Sequence, residues 1–195
     1  MKKKITEEKL KRFYRLLSIP MIDFNCGDLC APGNNGIPVC CENEGVVPIL
    51  FHEEYKWHWK NGRFWQRMPP VTKEIKKFIE ESEDYYVFAK CPGPAGCKRS
   101  KRSLNCRTFP LEPYVGKDGE VAGLAYADAR EINCPLIGKP KKLFNPVFIR
   151  NAIKFWEEMF ECYPEEKEMY IDESRKRDRR LKRKGKRLSI FSKAE

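Results

Sequence analysis

The sequence predicts an α+β fold: one small domain of short strands and several amphipathic helices, with two cysteine-rich loops organised around a metal site. Three observations lead there. Apolar residues recur at helical spacing in separate segments, and the strand-like runs between them are short. Eight of the nine cysteines fall in stretches rich in glycine and proline. At 195 residues the chain is long enough to bury a core without covalent help.

In TEEKLKRFYRLLS, Leu10, Phe13, Tyr14 and Leu17 fall at i, i+3, i+4 and i+7, which gives an N-terminal helix within residues 1–20, ended before Pro20. Residues 21–163 then form the cysteine-bearing domain. From Phe24 to Gly45 the text is loop chemistry, with Gly27, Pro32, Gly33, Asn35, Gly36 and Pro38 as punctuation. VVPILF reads as a short strand, and HEEYKWHWKNG as a helix closed by Asn61-Gly62. Thr72 is an N-cap for a helix through Ile75, Phe78 and Ile79, ending near Ser82. DYYVFAK is a strand that delivers the chain to Cys91, and EPYV and EVAGLAYA flank the hairpin turn Lys117-Asp118-Gly119.

Asn145-Pro146 starts a further helix, with Phe148, Ile149, Ala152, Ile153, Trp156, Met159 and Phe160 on its core face. Pro164 breaks it. Residues 164–195 read as a charged basic tail, helical or disordered, with too few apolar residues to dock firmly.

The net charge of +11 is a local property. Residues 175–187, RKRDRRLKRKGKR, carry +9 of it, and the remainder is nearly neutral at +2. Such a run attracts RNA, the ribosome or an anionic surface without sequence discrimination, or simply keeps the chain soluble.

No apolar run is long enough to span a bilayer, and Glu7, Glu8, Lys9 and Lys11 stand where the apolar part of a secretory signal would be. The expected location is the cytoplasm. In that reducing compartment, an odd number of cysteines points to metal ligands rather than to a disulfide framework.

The spacings are C-x3-C-x9-C-C for Cys26, Cys30, Cys40 and Cys41, then C-x5-C-x8-C for Cys91, Cys97 and Cys106, with Cys134 further on. Thiolates converging from irregular backbone suit a structural zinc ion or a cubane iron–sulfur cluster. These eight are the candidate metal ligands. Adjacent side chains diverge, so Cys40 and Cys41 are expected to serve different partners. Cys162, on the apolar face of the helix after Asn145, reads instead as a core residue. Lys98, Arg99, Lys101, Arg102 and Arg107 surround Cys97 and Cys106; they would offset the negative charge of a thiolate site, or they form a solvated loop.

Together, VCCENEGVVPILFHEEYKW, KCPGPAGCKRSKRSLNCRTFPLEP and INCPL resemble the YkgJ-like cysteine-cluster family, a zinc- or iron-chelating domain. The matching elements are Cys40-Cys41, Ile49-Leu50-Phe51, Glu53 or Glu54, Cys91, Gly96-Cys97, Cys106-Arg107-Thr108-Phe109-Pro110 and Cys134-Pro135. The first cysteine group is wider here than the family's compact CxxC followed closely by CC. The resemblance covers roughly residues 26–136 and implies a bound iron, [4Fe–4S] cluster or zinc, with Arg107 as a cation beside it. Flagellin lysine N-methylases carry a similar cluster, so the resemblance also allows a metal-dependent protein-modifying enzyme.

His52 and His58 are spaced wrongly for a helical ligand pair, although His52 beside Glu53 and Glu54 offers a mixed ligand. There is no H-E-x-x-H, no phosphate-binding P-loop and no G-x-S-x-G. Trp57, Trp59, Phe64 and Trp65 interleave with Lys56, Lys60, Arg63 and Arg67, either to stack bases or as core residues with snorkelling cations.

Overall fold

The helix after Asn145 is the hub of the fold. In a computed structural model, which describes residues 5–42, 47–90, 92–128 and 132–193, Asn145 caps that helix by accepting from the N–H groups of Val147 (2.9 Å) and Phe148 (3.4 Å). The N-terminal helix α1 (Glu7–Leu16) is capped by Thr6, whose hydroxyl accepts from the N–H of Lys9. Its Leu10 and Phe13, followed by Leu17, are buried, and the Phe13 ring meets Phe155 edge-on.

Strand β1 (Ile49–Phe51) runs directly into α2 (His52–Lys60). It pairs antiparallel with β3 (Tyr86–Lys90), whose other edge takes the two-residue β2 (Gln66–Arg67). Between β2 and β3, α3 (Lys73–Glu80) follows its Thr72 cap as expected, but none of its residues is buried. A five-residue helix, α4 (Leu104–Thr108), was not foreseen, because it is too short to show a period. Ser103 caps it by accepting from the N–H of Cys106. The hairpin of β4 (Leu111–Val115) and β5 (Val121–Tyr126) closes through Gly119, at φ 80°.

α5 (Pro146–Cys162) buries the face that its spacing predicts, and Phe155 as well. It packs on α1, on β5 and on α6 (Pro164–Arg183). The result is a small α+β domain of helices and a few antiparallel strands. Among the described residues no helix is long and apolar enough to cross a membrane.

The reading of the C-terminal segment as too poor in apolar residues to dock firmly does not hold. α6 docks by packing Tyr170 and Ile171 on the core and by a row of polar contacts. The N–H of Val115 donates to Ser174 Oγ (3.0 Å), the Tyr114 hydroxyl donates to Asp178 (2.9 Å), and Arg177 and Arg180 pair with Glu112 and Asp128. Beyond α6 the chain returns to the core. Phe191 is buried and pairs with Leu124 of β5, and a Cβ on Gly123 would lie 2.3 Å from its carbonyl oxygen. Only glycine admits that approach.

Candidate metal centre

Five cysteines from four separate stretches line one cavity of about 330 Å³: Cys26, Cys40, Cys41, Cys97 and Cys106. Short turns present them. Cys26 opens the turn Cys26–Leu29, where Asn25 Oδ1 accepts from the N–H of Gly27. Gly27 lies under Pro38, whose Cγ would be 3.0 Å from an added Cβ, so the first cysteine turn seats directly on the turn Val39–Cys41. Cys97 ends the turn Pro94–Gly96, and Cys106 sits on α4.

Cys40 and Cys41 do not diverge as the sequence reading expects. Their Sγ atoms are 3.9 Å apart and share a hydrogen bond. The tight turn rotates both side chains toward the cavity, where an extended chain would separate them. Four thiolates at 2.3 Å from a tetrahedral ion are about 3.8 Å apart, so this pair has the spacing of two thiolates on one metal. With the proton on Cys40, the bond to Cys41 draws the Cys41 thiol down to about 7; burial opposes this, and Arg102 adds to it. The Cys40 thiol moves up, because ionising it would lose that bond and because it is buried.

Cys30 and Cys134 do not line the cavity, but both are near enough to the cavity-lining Cys26 to interact with its charge. Burial raises the Cys26 thiol, and Cys30 and Cys41 add to the rise, while Arg102 opposes it. Burial likewise raises Cys134, with Cys26 and Cys30 adding to the effect. Cys91 lies outside the described residues. Cys162 is buried in the main core on α5, as its position suggests. Among the described residues, no three His, Cys, Asp or Glu side chains are gathered closely enough to hold an ion at their present positions.

Arg107, the cation that the resemblance sets beside the centre, follows the cavity-lining Cys106 but does not itself line the cavity. It is buried, and its guanidinium donates to the carbonyls of Leu17, Arg99 and Arg102 at 2.9–3.2 Å while stacking on Tyr14 at 4.5 Å. It is a clamp between α1 and the cysteine loop. Arg102 lines the cavity with the thiols, and Cys97, Cys41 and Cys40 favour its charged form although burial opposes it. Sequence reasoning could not single it out from four neighbouring cations.

Glu54 is the second clamp. Fully buried, it accepts from the Tyr14 hydroxyl (2.7 Å), from the N–H of Leu104 (2.8 Å) at the start of α4, and from the N–H of Phe51 (3.2 Å). Burial raises its carboxyl to about 7 although those donors oppose the rise. Neither histidine lines the cavity. His58 is buried against the Tyr14 hydroxyl (2.6 Å), and burial lowers its pKa to about 4.

Of the aromatic and basic stretch, Trp65 is buried, lines the cavity, and donates to the carbonyl of Lys101 (3.0 Å). Arg63 covers the exposed Trp59 ring, and Arg67 covers Tyr55, in the snorkelling arrangement.

The fold and site thus define a small α+β protein with a thiol-lined cavity. Comparison with protein-family models, with curated proteins and with solved structures finds no match.

Proposed function

We propose that this chain is a cytoplasmic metal-binding protein with a cysteine-ligated iron centre, most simply a [4Fe–4S] cluster. The observation that supports this reading best is the convergence of five cysteines from four stretches on one cavity. Thiolates around a single ion stand about 3.8 Å from one another and leave little space between them. A cavity of about 330 Å³ suits a polynuclear cluster better. The donor set is soft sulfur, as iron–sulfur chemistry requires, and Arg102 supplies a cation where the charge of the thiolates would accumulate. The sequence resemblance to the cysteine-cluster family points the same way. When bound, such a centre supplies one-electron redox chemistry. Protein purified without air should be brown and contain iron and acid-labile sulfide; a colourless protein with stoichiometric zinc would overturn the iron reading.

Two observations favour a second reading, in which zinc is structural and the C-terminal segment meets a polyanion. The Cys40–Cys41 spacing is that of a tetrahedral zinc pair. The cations of residues 175–187 are largely exposed on the docked α6 and beyond it, where RNA, the ribosome or an anionic surface could meet them.

A further inference from the structure

The second reading leaves the polyanion undefined, and the docking of α6 narrows it. The helix fixes one face to the protein through Tyr170, Ser174, Arg177 and Asp178. At 100° per residue, Arg175, Lys176, Arg179, Lys182 and Arg183 all fall within about 120° on the opposite side. All five are exposed. Lys176 is engaged with Asp172 and Glu173. The other four have no carboxylate at ion-pair distance among the described residues, whereas Arg177 and Arg180 spend their charge on Glu112 and Asp128. The same face of the first half of α6 is acidic, with Glu165, Glu168 and Asp172. The cationic patch therefore has a defined start, and it runs on through Lys184, Lys186 and Arg187.

Resting on that reading, we propose that Arg175, Arg179, Lys182 and Arg183 form a rigid binding surface for the phosphate backbone of a nucleic acid. An anionic membrane is disfavoured by composition. A helix that lies on lipid needs an apolar face free to insert. From Asp172 to Arg187 the one apolar residue of α6 and its extension is Leu181, which is half-buried on the protein side. Arginine dominates the patch, and its planar donor fork matches phosphate oxygens. Base reading is not built in, since the exposed face of Arg175–Arg183 carries no Asn, Gln, Ser or Thr to reach a groove edge.

The test is fluorescence anisotropy on the full chain with a 20-base-pair RNA duplex, the same DNA duplex and a single-stranded RNA, across a salt series. Vesicles containing phosphatidylserine form a separate arm. Changing Arg175, Arg179, Lys182 and Arg183 together to Gln should weaken binding to each nucleic acid at least 100-fold near 0.1 M salt. The slope of log affinity against log salt should fall by about three to four for a duplex. Lys76→Gln with Lys77→Gln on α3, two exposed cations elsewhere, should change neither. If Lys184, Lys186 and Arg187 changed to Gln abolish binding while the quadruple variant keeps it, the α6 surface is refuted and the polyanion reading stands. Preferential binding to the vesicles would overturn the nucleic-acid assignment. If the wild-type chain binds no polyanion at all, the underlying reading fails too.

Discussion

The two halves of this molecule are held together by different physics. Around α5, Phe148, Ala152, Ile153, Phe155, Trp156 and Met159 are each 0–1% exposed, and aromatic rings meet edge-on or tilted across α1 and α6. The cysteine half is made of five turns of three or four residues, in which Gly27 is the only buried residue. Hydrophobic burial holds the first half. The second meets that core through Leu104, Cys26 and Cys134 and is tied to it by polar contacts: the Arg107 and Glu54 clamps, Trp65 to Lys101, and Asn105 Nδ2 to the carbonyl of Ile49. A region so built gains little from packing, which is the situation in which bound metal contributes most to order.

Core truncation gives the largest expected effect. Trp156→Ala empties the centre of α5 and also removes the ring against Phe155, Phe160 and Tyr170. It should cost about 3–5 kcal/mol in a denaturant titration, and both halves should lose structure together. If the cysteine half kept its hydrogen-exchange protection in that variant, its dependence on the core would be disproved.

Next in size is Arg107→Met, which keeps the length of the side chain but strands the carbonyls of Leu17, Arg99 and Arg102. A loss of about 2–4 kcal/mol is expected. Here the change should be uneven. Amide exchange should accelerate in residues 94–106 while α5 stays protected, as hydrogen exchange with mass spectrometry would show. Uniform acceleration would mean that the two halves are one cooperative unit.

What was legible in the sequence follows the same division. α1 and α5 carry long periodic faces, and at α5 the expected cap Asn145 agrees with the period. The cysteine half has no period to read: its turns are set by the local Asn25–Gly27 bond and by the seating of Gly27 under Pro38 across the loop. The gathering of cysteines on one cavity could be suspected from composition, but not the convergence of Cys40 and Cys41, which depends on a single tight turn. α6 was misjudged because apolar content is a poor guide to docking when a buried Arg177–Glu112 pair and a serine hydroxyl share the work. Glu54 was visible as part of a family resemblance and, beside His52, as a mixed ligand; its role as a clamp rests on backbone N–H groups, which sequence does not display.

The smallest effect should be in pH dependence, where the halves again differ. Each holds a buried carboxylate raised to about 7 by desolvation, Glu54 in the cysteine half and Glu166, bonded by Tyr85 and Tyr86, in the first turn of α6. A carboxyl raised above its unfolded value keeps a proton that the unfolded chain releases. Its stabilisation is present in full below about pH 4.5 and is lost as pH rises through 7. His58 works the other way: lowered to about 4, it contributes above pH 6.5 and loses that contribution as pH falls through 4. In the cysteine half these two opposed groups nearly cancel between pH 5 and 6.5, whereas no histidine offsets Glu166, and burial raises Glu112 in the same sense. Glu166→Gln should therefore remove about 2 kcal/mol of the decline in stability between pH 5 and pH 7. Glu54→Gln removes a carboxyl raised by the same amount, so its urea midpoint should also climb with pH relative to wild type, by about as much as in Glu166→Gln, because the unfolding free energy sums the groups of both halves. A Glu166→Gln profile that coincides with wild type would show that Glu166 does not carry the decline, and a Glu54→Gln profile that departs from that of Glu166→Gln would show that the two halves unfold separately.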